Sequence, residues 1–346
     1  MLIKITGTSD EAGATLDEQK TIPNMHPFST APESITEAFS IKSQVIIVTG
    51  AAGAIGSGIA KAFGINGARV VCSDRAGRQL DQVTEDFVAE GLDVLKQAAD
   101  LNRPEDLRVL LQAAEEHYGR INAILNCGAI IHSDPIDEES DDEFDRIFHT
   151  NLRSAWLLIK HALEPFERAG GGAVVNIASI NGHRAQSPCS LYAGSKAAML
   201  RMTQELAVEL ADRNIRVNSI SPGTIGSLLT RMQCRLQPEY GRSFHEKFMN
   251  SEVAKHLAPE MQALSMSGEP YDIAMAALYL CSPAARFVTG ADILVDGGLQ
   301  HAFTMSSRRI KERRSRGEAV REEVHEFLSS LPDEAWLDGK PKWLSR

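Results

Sequence analysis

The stretch "QVIIVTGAAGAIGSGIAKAF", residues 44–63, runs from apolar, mostly β-branched residues through a glycine-rich turn into an apolar-periodic segment. That is the pattern of a buried strand, a tight turn and a helix. Glycines in such a turn allow positive φ and close backbone approach, and the helix that follows offers free N–H groups to an anion. Two spacings fit. As T-G-x-x-G-x-x-G the motif runs through Gly50, Gly53 and Gly56; as T-G-x-x-x-G-x-G it lacks its middle glycine, because Ala54 stands there. Either form suits the pyrophosphate of a dinucleotide, with Gly50, Ala52, Gly53, Ile55 and Gly56 nearest to it.

Working outward, the same alternation repeats. Short apolar runs at 44–49, 68–74, 93–100, 122–127, 172–179, 215–221 and 292–298 read as strands. Helical periodicity lies between them, at 54–66, 77–90, 105–118, 141–168, 190–212 and 271–281. This order predicts an α/β fold, a doubly wound Rossmann-type sandwich with a central parallel sheet of about seven strands and helices on both faces. Residues 1–43 are polar and Pro-containing and read as an N-terminal arm. The catalytic domain is expected over 44–300, with a Met-rich lid at about 227–268 (Met232, Met249, Met261, Met266) and a C-terminal tail over 301–346.

Composition narrows the function. The 346 residues carry a net charge of −10, with 43% hydrophobic and 24% charged residues, an ordinary globular balance. An acidic chain of this kind is not expected to bind nucleic acid or an anionic membrane. The five cysteines are scattered without a C-x-x-C pair, so reduced thiols and a cytoplasmic location are expected. No H-E-x-x-H or comparable spacing suggests a metal. The basic run "RRIKERRSR" (308–316) is short and followed by acids, which reads as a solvated face or subunit contact.

The second strand ends in Asp74, 18 positions after Gly56. A carboxylate there can accept both adenosine ribose hydroxyls and repels a 2′-phosphate, so NAD is expected over NADP. Arg75 and Arg78 argue the other way. "SLYAGSKAA" (190–198) puts Tyr192 and Lys196 four apart on one helix face, and "VNIAS" ends a strand at Ser179, thirteen residues before Tyr192. The carboxyl edge of such a sheet is where ligands bind.

Here the sequence resembles the short-chain dehydrogenase/reductase family over roughly 44–300. The matching motifs come in family order: the glycine loop, Asp74, "AD" ending at Asp100, "NCGA" (126–129), Asn151 in "TNL", Ser179, Tyr192, Lys196, "SPGTI" (221–225) and "FVTGADILVDGG" (287–298). "NCGA" departs from the usual N-N-A-G but keeps small residues. The resemblance implies Asn151, Ser179, Tyr192 and Lys196 as the catalytic set, with Asn151 holding a water that links Lys196 to solvent. It implies Asp100, Leu101, Asn126, Gly128, Tyr192, Lys196, Pro222, Gly223 and Ile225 as further cofactor contacts. It also implies a secondary alcohol or ketone substrate, and a homotetramer or homodimer packed through 141–168 and 190–212.

The two spacings of the glycine loop belong, by resemblance, to two branches. One contains nucleotide-sugar epimerases and dehydratases; the shorter, single-domain branch contains alcohol dehydrogenases and ketone reductases. "NCGA", "SPGTI", "VDGG" and the absence of a separate sugar-binding domain favour the shorter branch. An epimerase and a non-catalytic NAD sensor stand as the alternatives. Substrate contacts are expected from Ser179 and from the loop residues His132, Ser133, His183 and Arg184, with Arg184 suited to an anionic or polyhydroxy substrate.

Overall fold

The structure is a computed structural model that describes residues 32–132, 135–185, 189–226, 263–264, 266, 268–301, 336–337 and 340–341. Most of the expected lid and tail, most of the arm, Ser133, Cys234, Met232, Met249, Met261 and Trp343 lie outside the described residues.

Seven strands form one sheet: β1 Val45–Thr49, β2 Arg69–Asp74, β3 Val94–Ala98, β4 Ala123–Asn126, β5 Gly172–Ile177, β6 Ile215–Pro222 and β7 Asp292–Val295. Their order is β3-β2-β1-β4-β5-β6-β7 and every pair is parallel. The helices are α1 Ile35–Ala38, α2 Ala54–Ile65, α3 Arg78–Ala89, α4 Pro104–Tyr118, α5 Asp141–Phe148, α6 Ser154–His161, α7 Leu163–Arg168, α8 Ser190–Glu209 and α9 Pro270–Cys281. This is the doubly wound Rossmann-type sandwich that the alternation predicts.

Strand β1 shows why both faces are covered. Its residues are all buried, and they divide by parity. Ile46 and Val48 pack into one core with Ile59 and Phe63 of α2 and Ile273 and Ala277 of α9. Val45 and Ile47 pack into the other with Leu107 and Leu110 of α4, Leu158 of α6 and Leu206 of α8. The chain winds outward from β1 through β2 to β3, then crosses back to β4 on the other side of β1. That reversal opens a crevice at the carboxyl ends of β1 and β4, where Thr49 and Asn126 are level in the register.

Local chemistry sets the helix ends. Pro165 has no N–H to donate to the turn before it, and the helix expected over 141–168 is broken at Ala162 between α6 and α7. It is also interrupted at His149–Arg153 by a π-helical turn. The helix expected to 212 stops at Glu209 and passes through a short 3₁₀ turn to Asn214, which is left-handed at φ 63°. Within the expected arm, Ser34 caps α1 by accepting the Glu37 N–H at 3.1 Å. No helix among the described residues is long and apolar enough to cross a membrane.

Candidate active site

The glycine loop leaves β1 at Gly50, whose φ is +67° and whose Cβ, if it had one, would lie 2.7 Å from Gly128 Cα. Gly56 sits in the first turn of α2, and a Cβ there would fall 2.1 Å from the Gly50 carbonyl oxygen. The loop therefore folds back onto its own helix at 56. Ala54 opens α2 on the exposed side, so the missing middle glycine leaves this close approach intact. No side chain caps α2 and its first turn carries no acid, which leaves its N-terminal N–H groups available to a phosphate.

Asp74 ends β2 beside this loop. Its Oδ2 accepts the Ala52 N–H at 3.1 Å and its Oδ1 accepts the Arg75 N–H at 2.8 Å. Arg75 and Arg78 are exposed. Asp100 accepts the Asn102 N–H at 2.9 Å, and Leu101 Cδ1 fills the space a Gly128 side chain would need. These features fit a dinucleotide: an uncapped helix N-terminus, a cradle that admits no Cβ, and a carboxylate at the end of the second strand.

Thr49 fixes the turn opposite. Its Oγ1 donates to Leu125 O and accepts N–H groups from Cys127 and Gly128 at 3.2 and 3.3 Å. Asn126 donates to Asn176 Oδ1 at 2.8 Å, Asn176 to Thr203 Oγ1 at 2.9 Å, and Thr203 to the Met199 carbonyl. This buried chain ties β4 and β5 to α8. A polar residue in the middle of the apolar run "VVNIA" was the only sequence signal for it.

Tyr192 and Lys196 occupy successive turns of α8, both buried. The Lys196 Nζ donates to the Ile177 carbonyl at the end of β5, 2.7 Å away, and stands 5.8 Å from the Tyr192 ring centroid. Burial pushes the Lys196 pKa down to about 8, and burial likewise pushes the neighbouring Cys127 thiol up to about 12. Ser179 follows β5 and accepts the Asn181 N–H at 3.1 Å. The next turn presses against α8, because a Cβ on Gly182 would lie 2.9 Å from the Lys196 carbonyl carbon.

A charged lysine in this position destabilises the folded state. The pKa is below the ordinary lysine value, so the penalty is fully present below about pH 8 and is relieved as pH rises toward 10.5. Lys196→Met removes the cation at the loss of one hydrogen bond. At neutral pH the variant is expected to be more stable by about 1–2 kcal/mol. Chemical denaturation at pH 7 and pH 10 checks this, since the stability gap should shrink at the higher pH.

Asn151 lies in the π-helical turn with its side chain fully buried. Its Oδ1 accepts the Ile130 N–H at 2.7 Å, and its Nδ2 donates to Ile130 O and Ser195 Oγ at 2.9 and 3.1 Å. Both amide protons are thus used in clamping the loop after β4 to α8, a task the sequence did not announce.

The expected substrate residues divide. His132 Nε2 lies 2.9 Å from Glu139 Oε2, its Nδ1 lies 3.6 Å from Glu143 Oε2, and its carbonyl accepts the Cys189 thiol just before α8. His183 Nε2 lies 2.8 Å from Asp292 Oδ2 and 3.2 Å from Ser221 Oγ, which ties the loop after β5 to β6 and β7. Both partners meet the same ring nitrogen, so this is not a serine–histidine–aspartate relay. Arg184 donates from Nη1 to Leu299 O at 2.8 Å. Gly223 packs against Asp296, and Ile225 bridges to Gly268. Among the described residues no group of three His, Cys, Asp or Glu could hold a metal.

Residues 50–300 match a family model described as enoyl-(acyl carrier protein) reductase. The chain is 31% identical over 261 residues to a 7alpha-hydroxysteroid dehydrogenase of Bacteroides fragilis, covering 75% of this chain and 95% of that protein. It is 30% identical over 269 residues to human dehydrogenase/reductase SDR family member 4, covering 78% and 91%. A 7alpha-hydroxysteroid dehydrogenase structure complexed with NADH and 7-oxo glycochenodeoxycholic acid has a TM-score of 0.66 at 29% identity, covering 77% of this chain and 98% of that one.

Proposed function

Since the chain belongs to the short-chain dehydrogenase/reductase family and is an oxidoreductase of that family, we propose that it oxidises a secondary alcohol to a ketone with NAD, or runs the reverse, through Tyr192. The observation that carries this reading is the seating of Tyr192 over Lys196 on α8, against the end of β5 that leads to Ser179. It is supported by the NADH bound to the 7alpha-hydroxysteroid dehydrogenase of similar fold.

NAD supplies the hydride acceptor; all else falls to the chain. In the oxidation R₂CHOH + NAD⁺ → R₂CO + NADH + H⁺, the Tyr192 phenolate takes the hydroxyl proton. A phenol with pKa near 10 is too weak an acid to be ionised at neutral pH unaided. The Lys196 ammonium beside it, buried like the tyrosine, favours the phenolate. The same Nζ would hold a hydroxyl of the nicotinamide ribose. Ser179 donates its hydroxyl to the substrate oxygen and orients it. Asn151 keeps α8 and the loop after β4 in register and so positions both catalytic groups.

Asp74 selects NAD by accepting ribose hydroxyls and opposing a 2′-phosphate. Asp74→Asn keeps one acceptor and removes the charge. Its NADP turnover is expected to rise at least tenfold, with Arg75 and Arg78 free to meet the phosphate, while NAD turnover falls. The test of the whole reading is NADH formation from NAD with secondary alcohols, polyols, cyclitols and hydroxy acids, with NADP in parallel. NADP preference in the wild type overturns the role of Asp74.

The protein is also proposed to self-associate through α5, α6 and α8. Phe144 and Trp156 are 47% and 43% exposed there, and Phe148, Leu152, Trp156 and Met202 line an apolar groove of about 420 Å³.

A further inference from the structure

Arg184 stands five residues beyond Ser179, in the loop that presses on α8. Among the described residues, Arg69, Arg108, Arg146, Arg168 and Arg213 each meet a carboxylate, and Arg75, Arg78, Arg153 and Arg286, which have no ion pair, are exposed to water. Arg184 is half-buried and, among the described residues, meets none. Its single partner is the Leu299 carbonyl on Nη1, and its Nε is buried without a partner. The nearby Asp296 does not serve it, since its two oxygens accept the Gly298 and Gln300 N–H groups at 2.9 and 2.6 Å. Gln300 Oε1, next to the Leu299 contact, is likewise buried without a partner.

A guanidinium cannot discharge, and a buried charged donor left unpaired is costly enough to need an explanation. The unused Nε–Nη2 edge presents two parallel N–H groups, the geometry that matches a carboxylate. Its place identifies the source of that carboxylate. Leu299 follows the carboxyl end of β7, in the turn whose Asp296 abuts Gly223. The pyrophosphate loop and Asp74 follow β1 and β2, at least two strands away from β5, whose following loop carries Arg184, so the adenosine end of the cofactor is set apart from it. Arg184 instead follows Ser179 in the chain, on the carboxyl edge of the sheet where the dehydrogenase reading seats the substrate.

We propose that Arg184 is an anion-binding residue of the substrate site, so that the secondary alcohol oxidised here carries a carboxylate. Gln300 Oε1 then accepts a hydroxyl or N–H of the same molecule. The proposal rests on the dehydrogenase reading and deepens it.

Three acids, 3-hydroxybutyrate, 5-hydroxyhexanoate and 4-hydroxycyclohexanecarboxylate, are assayed with NAD beside their methyl esters, on the wild type and on Arg184→Met and Arg184→Lys. At least one acid is expected to exceed its ester in kcat/KM by roughly ten- to a hundredfold, the range of a charged hydrogen bond. In Arg184→Met that preference disappears through KM, with kcat on the ester within a fewfold. Arg184→Lys restores part of it, which a structural role for the residue would not require. Esters turned over as well as acids, or equal losses on both in Arg184→Met, overturn the proposal and leave the dehydrogenase reading intact. No turnover of any acid or ester by a protein that still binds NADH overturns both.

Discussion

Phenylalanine at position 192 is expected to leave a folded, NADH-binding protein whose turnover is lower by roughly 10²–10⁴-fold, the range of general acid–base catalysis by one group. The substitution removes one oxygen from a buried ring and leaves no cavity. Lys196 stays in place without the hydroxyl, because the Ile177 carbonyl holds its Nζ at 2.7 Å. The loss should therefore fall on kcat, with the NADH dissociation constant, read by fluorescence titration, changed by less than a fewfold. Retained turnover would remove Tyr192 from the chemistry and return the catalytic proton to another group.

Gly56→Ala is the second large effect, and it acts on binding. The new methyl group would stand 2.1 Å from the Gly50 carbonyl oxygen and 2.7 Å from its carbon. Both are backbone atoms, so no rotamer change relieves the contact, and the glycine loop must move off the helix that presents N–H groups to the pyrophosphate. NAD affinity is expected to fall at least about a hundredfold and stability by about 1–3 kcal/mol, the usual penalty of overpacking. Gly53→Ala is the control. Gly53 has φ −81°, and a Cβ there lies 3.3 Å from the Gly50 oxygen, a contact a small shift relieves. Its melting temperature should stay near that of the wild type. Equal destabilisation by both substitutions would show that position 56 is not special.

These two residues illustrate what is legible from the chain alone. Tyr192 and Lys196 are four apart on a helix, and the 3.6-residue period makes their alliance local. Gly50, Gly53 and Gly56 belong to one turn. The seven strands and the helices between them follow the alternation of apolar runs, because burial on both sheet faces demands it. The period misled at three places: the long helix over 141–168 comes apart at Ala162, where Pro165 cannot complete the turn before it, and passes through a π-helical turn at His149–Arg153, and the helix expected to 212 stops at Glu209.

The partners of the site are another matter. Asn151 clamps Ile130 and Ser195, Thr49 holds Cys127 and Gly128, and Asn176 joins Asn126 to Thr203, each across more than twenty residues of sequence. His183 and Arg184 look alike in the sequence, two polar residues of one loop after Ser179. In three dimensions His183 finds Asp292 and Ser221, while Arg184 finds a single carbonyl among the described residues. The sequence by itself determined the strand order's raw material, the nucleotide turn and the tyrosine–lysine pair, since short-range periodicity and glycine stereochemistry act within one or two elements. Only the tertiary structure decided, among the described residues, which polar side chains are satisfied and that the Arg184 Nε is buried without a partner, because hydrogen-bond partners across a parallel sheet are brought together by the winding of the chain.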